Sequence, residues 1–269
     1  MLLCIDVGNT HATLGLFTGD ELGPTWRLAS SHDRTADEYG LQVLGLLSHA
    51  RVPPGSIEGV AIASVVPPLT ATWFDVAVRY LGRPPLVVDA GVRTGVKIRY
   101  DDPRSVGADR VVDAAAAHRL YGGPACVVDF GTATTFDAIS QGGEYLGGAI
   151  APGLGIALDA LCSRTAKLPR VEVIRPPAVI GKSTVHSMQS GILYGYVGLV
   201  EGMVARFRAE LGNEMKVIGT GGYLDLLARE TQVFDVLAPS LTLEGLRLIW
   251  EMNRDEGEER PRAKGPGRR

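Results

Sequence analysis

Apolar and polar positions along the chain alternate between short strand-like runs and longer helix-like stretches, and one arrangement of them occurs twice. "LLCID" and "ATLGLF" are strand-forming runs separated by Gly8, Asn9 and Thr10, the residue types of a tight turn, and they predict a hairpin. A helix is expected from about Asp37 to Ala50, with Leu41, Leu44 and Leu46 or Leu47 on one face. "GVAIASVV" reads as a buried strand stopped by Pro67 and Pro68, with a helix through Trp73 to Tyr80 behind it and a further strand at "PLVVD". "VGADRVVDAAAAHRLYG" predicts a helix opening near Ala108 and closing at Gly122. The pattern then restarts. "ACVVDFGTATTFDAIS" repeats an apolar strand, an Asp, a Gly and small hydroxylated residues in the N-terminal order, and "YLGGAIAPG" adds a strand. A long helix from Ser187 to Leu211, a strand, glycine turn and helix at "KVIGTGGYLDLLAR", and a closing helix at "LEGLRLIWEMN" complete the reading.

Alternating strands and helices in two hairpin-led halves indicate an α/β protein of two related domains. The expected division is 1–122 and 123–253, each half with its own hairpin. The last stretch, 254–269, is charged and rich in Pro and Gly and is expected to be a disordered tail.

Composition narrows the function classes. With 45% hydrophobic and 21% charged residues in 269, the chain has ample material for a core, and a net charge of -3 gives no case for binding nucleic acid or an anionic membrane. Cys4 and Cys126 lie in apolar runs and Cys162 pairs with neither by motif, which suits buried thiols in a reducing compartment. The N-terminus has no basic leader, and its apolar run is broken at Asp6. The longest uncharged apolar run, Leu146 to Leu158, is too short for a bilayer. A cytoplasmic protein is expected.

The repeated element carries the chemistry. Gly8 and Gly131 let the backbone bend and approach a ligand, and successive turn amides form a concave anion site. Thr10, Thr132, Thr134 and Thr135 add hydroxyls. Asp6 and Asp129 repel phosphate directly, so they make sense with a cation between carboxylate and phosphate. Two such tips facing one another would hold the phosphates of ATP from both sides with Mg2+ between. "AVIGKST" is no Walker loop, because Pro176 stands where its first Gly belongs, and "GLGIAL" from Gly153 lacks the third Gly of a dinucleotide fingerprint. Gly221 and Gly222, between strand and helix, could bring bare backbone to an adenine or ribose.

Asp-x-Gly followed closely by Thr, as "DVGNT" and again as "DFGT", and then a Gly-Gly turn resembles the actin, heat-shock chaperone and sugar-kinase superfamily, with ribonuclease H-like domains and a nucleotide cleft between them. More narrowly, "DVGNTH", "VGADR", "DFGTATTFD" and "GGAIAPG" resemble the type III pantothenate kinases over nearly the whole chain to about Met252. The resemblance implies ATP-dependent phosphorylation of pantothenate to 4'-phosphopantothenate, the first step towards coenzyme A, in a homodimer needing K+ or NH4+. It implies ATP on Asp6, Val7, Gly8, Asn9, Thr10, His11, Ala12, Thr13 and Thr132, and the monovalent cation on Asp129. It implies Asp109 as catalytic acid/base, and pantothenate on Tyr100, Gly107, Ala108, Asp109, Arg110 and Thr184.

Read from its residues alone, the acceptor region is more open. Asp109 in the first turn of a helix is expected to be held in its charged form by the dipole, ready to position a hydroxyl but a weak base. Arg110, a cation at the positive helix end, could clamp a carboxylate or pair with Asp113 or the Asp101–Asp102 loop. Thr184 reads as a helix N-cap, and Tyr100 as core or pocket wall. His11, beside Thr10, stands near the expected phosphates, and the five histidines show no metal-ligand spacing. Gly191, Gly195, Gly198 and Gly202 share one helix face, which means packing within the domain or a dimer contact. A nucleotide-dependent regulator or scaffold on the same fold is the alternative function. A sugar or acetate kinase and an exopolyphosphatase are further enzyme readings.

Overall fold

The computed structural model describes the backbone of residues 1–259 and the side chains through Arg254. The first sheet holds β1 (Leu2–Val7), β2 (His11–Thr18), β3 (Glu21–Ala29), β4 (Gly59–Ser64) and β5 (Leu86–Val87) in the order β3-β2-β1-β4-β5. β1 runs antiparallel to β2 and parallel to β4. The second sheet holds β6 (Lys97–Ile98), β7 (Ala125–Phe130), β8 (Ala133–Ile139), β9 (Glu144–Pro152), β10 (Lys216–Gly221) and β11 (Val236–Leu237). Its order, β11-β10-β7-β8-β9-β6, repeats the first sheet strand for strand with β6 added at the edge. The senses repeat too, β7 being antiparallel to β8 and parallel to β10. The doubled sequence pattern is a doubled fold.

Period-two alternation explains why the central strands carry almost no polar residue. Leu3, Ile5 and Val7 of β1 face a core shared with α1 (Ala36–His49) and α2 (Pro67–Leu81), while Leu2 and Cys4 face the opposite side. On β7, Cys126, Val128 and Phe130 face one core and Ala125 and Val127 the other. α1 starts on a capping box, in which Thr35 and Glu38 each satisfy the other's backbone amide. Its core face is Tyr39, Val43 and Leu47, whereas Leu41 of the expected stripe is 67% exposed. Tyr39 outcompetes Leu41 because its ring stacks 4.7 Å from Trp73 of α2.

The halves are not self-contained. α3 (Ala108–Tyr121) presents Val112 and Ala115 to the first sheet's core and Ala114, Ala116 and Ala117 to the second's. α7 (Leu241–Glu259) returns from the C-terminal half to bury Leu243, Leu246 and Ile249 against Leu2, Cys4 and Phe17. The two helices cross where a Cβ on Gly245 would lie 2.4 Å from the Val112 carbonyl oxygen, so only glycine fits. In exchange, β6 of the N-terminal half pairs with β9.

Pattern reading passed over β3, β6 and β11 and the helix α4 (Leu154–Ser163), while the short helix after the glycine turn is α6 (Leu224–Ala228). α7 is helical beyond Arg254 to Glu259, into the stretch expected to be disordered, and the remainder of that tail lies outside the described residues. α5 (Thr184–Leu211) begins at Ser183, whose side chain caps the His186 amide, so Ser183 and not Thr184 is the N-cap. Among the described residues no helix is long and apolar enough to cross a membrane.

Candidate active site

The two hairpin tips meet. The turn between β1 and β2 closes through the Gly8 amide on the His11 carbonyl, and Ser30 Oγ donates to the Gly8 carbonyl at 2.7 Å. From that tip Thr10 reaches across the molecule, its Oγ1 sharing a 2.9 Å hydrogen bond with Oγ1 of Thr132 on the tip between β7 and β8. Two glycine-bent loops from separate sheets therefore point at one space, with Asp6 and Asp129 at equivalent strand ends behind them. The third glycine turn joins the same place. Gly221 has φ +93, and a Cβ there would stand 2.3 Å from Asp129 Oδ1. Only glycine lets β10 end against that carboxylate.

Not every hydroxyl of the second hairpin reaches the cleft. Thr134 faces inward and is fully buried, and Thr135 Oγ1 donates to Asp137 Oδ2 at 3.0 Å. Strand alternation accounts for both, leaving Thr132 at the tip as the hydroxyl available to a ligand.

Four carboxyls gather beneath the tips. Burial pushes Asp6 up to about 8, with Asp109 and Asp129 adding repulsion. Burial raises Asp129 to about 7, helped by Asp109 and Asp137. Asp113, one turn beyond Asp109 on α3, is 2% exposed and driven well above the carboxylate range by burial and by Asp129, Asp109 and Asp6, against a bond from Thr242. Among the described residues its Oδ1 has no hydrogen-bond partner. Asp109 is also raised, because desolvation outweighs its bond from the Arg110 amide and the Arg110 charge. The helix-end dipole does not hold Asp109 as a weak base. Enclosure makes it a stronger one. Gly107 leaves it room, since a Cβ there would be 2.5 Å from Asp109 Oδ1.

Such a cluster in a polar cleft is suited to a cation arriving with phosphate. Among the described residues no three of these groups converge as a ligand set for one metal. A divalent ion here fits as Mg2+ commonly binds, through one or two carboxylates with phosphate oxygens and water supplying the rest.

Arg110 pairs with neither Asp113 nor the Asp101–Asp102 loop. Its Nε donates to Asp137 Oδ1 at 2.7 Å, and its guanidinium lies 5.7 Å above the Tyr145 ring. Tyr145 in turn lies 6.2 Å from Tyr100, which is 39% exposed and so is not a core residue. Tyr100, Gly107, Ala108, Asp109 and Arg110 thus lie around one end of α3. Thr184 is exposed at the start of α5, and no hydrogen bond or ion pair among the described residues joins it to that group.

Sequence reading missed Arg27. It pairs across strands with Thr13, its Nη2 lies 3.3 Å from His11 Nδ1, and its Nη1 comes within 3.6 Å of a Cβ placed on Gly222. It brings positive charge to the cleft between the first phosphate tip and the glycine turn of the other half. Burial and Arg27 together push the His11 imidazole down. Nothing in the local pattern marks Arg27, because β3 itself was not foreseen. Asp137 and Tyr145 were likewise given no role, and Asp113 only that of a possible partner for Arg110, although Asp137 closes the "DFGTATTFD" stretch.

Duplicated sheets whose glycine-bent tips face one another over a cluster of carboxyls have the architecture of the actin and sugar-kinase fold. Solved structures share that fold at low identity. Ethanolamine utilization protein EutJ from Carboxydothermus hydrogenoformans has a TM-score of 0.54 at 16% identity over 92% of this chain and 89% of its own. A Baf family protein from Campylobacter jejuni, described as a transcriptional activator, has a TM-score of 0.60 at 18% identity over 94% and 99%. The type III pantothenate kinase family model matches residues 2–206. The type III pantothenate kinase of Moorella thermoacetica is 56% identical over 94% of this chain and all of its own length. That of Geobacillus kaustophilus is 49% identical over 95% and 99%. The chain belongs to the type III pantothenate kinase family, which phosphorylates pantothenate in coenzyme A biosynthesis using ATP with a divalent metal.

Proposed function

We propose that the work of this pantothenate kinase is divided as follows. The segment Asp6, Val7, Gly8, Asn9, Thr10, His11, Ala12 and Thr13, with Thr132 opposite, grips the triphosphate of ATP. Tyr100, Gly107, Ala108, Arg110 and Thr184 hold pantothenate, and Asp129 carries a monovalent cation, K+ or NH4+. The observation behind the nucleotide assignment is the 2.9 Å meeting of Thr10 and Thr132, which brings both anion-binding turns to one ligand. Arg27 adds a side-chain cation where neither turn contains a lysine.

Asp109 is the catalytic residue. It accepts the proton of the pantothenate primary hydroxyl as that oxygen bonds to the γ-phosphorus and the bond to the β–γ bridging oxygen breaks, releasing ADP. A raised proton affinity suits that role better than an ordinary carboxylate's. The divalent ion supplies charge neutralisation on the phosphates when bound. The turn amides, Thr10, Thr132 and Arg27 orient the same oxygens.

The duplicated units are 1–122 and 123–253, with α7 and β6 exchanged between them. The protein acts as a homodimer in the cytoplasm. Gly191, Gly195 and Gly198 support the dimer, because among the described residues nothing beyond their own helix turn comes within 4 Å of a Cβ on any of them. Packing within the domain therefore does not explain them. Ile180 beside the start of α5 is 82% exposed, and Val185 is 38% exposed.

An ATP-consumption screen over pantothenate, sugars and acetate, with and without K+, tests the reading. Turnover only with pantothenate, and more of it with K+, is expected. ATP binding with no acceptor-dependent turnover would mean a scaffold instead.

A further inference from the structure

The buried network behind Arg110 has no assigned part in the reaction. Asp137 is fully buried on β8 and receives three donors: Arg110 Nε at 2.7 Å and Tyr145 Oη at 2.9 Å on Oδ1, and Thr135 Oγ1 at 3.0 Å on Oδ2. The Arg110 side chain is 11% exposed, and its Nη2 is buried with no hydrogen-bond partner among the described residues. A desolvated guanidinium nitrogen without an acceptor is costly, and natural structures rarely tolerate one without a purpose.

The backbone is shaped to produce this arrangement. β8 and β9 pair Asp137 with Gly148 and Ala138 with Gly147, and then the register shifts so that Ile139 faces Tyr145. Gly147, at φ +120, takes the conformation that such a bulge requires. Without the shift Leu146 would stand opposite Ile139, and Tyr145 would point to the other face, away from Asp137. Gly148 clears the path of the arginine, since a Cβ there would lie 2.7 Å from Nη2 and 1.9 Å from the Phe136 carbonyl oxygen.

We propose that Asp137 and Tyr145 are positioning residues that grip Arg110 by its Nε edge and present the free Nη2 to the carboxylate of the acceptor, making the site selective for carboxylate-bearing acceptors over neutral ones. Asp137 also offsets the Arg110 charge, so the pocket favours a carboxylate by directed hydrogen bonding more than by net attraction. The inference rests on the assignment of pantothenate to Arg110.

The experiment measures kcat/KM for pantothenate and for panthenol, in which an alcohol replaces the carboxylate, in the unaltered enzyme and in Tyr145→Phe, Asp137→Asn and Arg110→Gln. Tyr145→Phe removes one hydroxyl from the network and is the variant expected to fold normally. Each positioning variant should raise KM for pantothenate by about tenfold, the scale of one charged hydrogen bond. KM for ATP should not change, and the preference for pantothenate over panthenol should fall towards that of Arg110→Gln. In the Arg110→Gln background, adding Tyr145→Phe should have no further effect on the preference. If Arg110→Gln itself leaves the preference intact, the acceptor assignment fails. If Arg110→Gln abolishes it while Tyr145→Phe leaves it whole, the positioning role is overturned.

Discussion

The carboxyl cluster under the hairpin tips should make the ligand-free protein lose stability as the pH rises. The ordinary value for Asp6 is 3.8, and in the fold it is pushed up to about 8; Asp129 is pushed up to about 7. Between those limits the native state keeps a proton that the unfolded chain has already released. The contribution is therefore whole below about 3.8 and drains away as the pH climbs through the folded value. Each retained proton costs about 1.4 kcal/mol of stability per pH unit. His11 acts in the opposite sense, since its imidazole is pushed down, but its effect is confined to the region below 6.5. Urea unfolding of the metal-free, nucleotide-free protein from about pH 6.5 to about pH 8 isolates the cluster. Asp6 alone predicts a fall of about 2 kcal/mol over that range. Asp6→Asn should lessen this slope by about that amount, leaving the share of Asp129 and Asp113, and Mg2+ with ATP should flatten it in the unaltered protein. Stability that is level or rising over the range, or an Asp6→Asn protein with the same slope, would refute the argument.

Asp109→Asn should keep ATP binding, measured by calorimetry, while kcat falls by about a hundredfold or more, the usual share of a general base; full activity would exclude the role. The acid limb of kcat/KM should lie above 3.8, because burial raises Asp109 and activity needs its ionised form. Arg27→Ala should raise KM for ATP by about tenfold and leave KM for pantothenate unchanged, with Arg27→Lys recovering part of the loss. Gly195→Leu should shift sedimentation towards the monomer, and an unchanged profile would remove α5 from the interface.

The parts of this molecule that could be read from sequence are those whose signal is local. Asp6, Gly8 and Thr10, and their counterparts Asp129, Gly131 and Thr132, carry hairpin and anion-site chemistry within a few residues, and they recur. α3 was legible because its ends are marked by Gly107 and Gly122, and α5 because of its length, although its start was placed at Ser187 and its cap at Thr184 where the cap is Ser183. What stayed hidden depends on contacts distant in sequence. β3 alternates weakly, being an edge strand with an exposed face. The partner of Arg110 could not be chosen from sequence, since the one-residue shift at Tyr145 decides which side chains reach Asp137. The affinity of Asp109 for a proton was misjudged from sequence because helix-end position is a local property and enclosure is not.

The exchange of α7 and β6 bears on why the proposed acceptor end is built on α3. That helix lies between both sheets, and its buried residues are Val111, Val112, Asp113 and the run Ala114 to Ala117. Alanine allows the closest approach of flanking elements, so each half's core comes up against the helix with little between. Asp109 and Arg110 at its first turn are therefore fixed relative to both phosphate tips at once, and α7, crossing at Gly245, holds the helix from behind. If α3 belonged to one half only, any change in the angle between the sheets would alter the distance from the acceptor hydroxyl to the γ-phosphate. Packed on both, it shares that change between the two sides. The one polar residue in its buried stretch, Asp113, faces the carboxyl cluster and Thr242 of α7, which ties the electrostatics of the nucleotide site to the same helix junction.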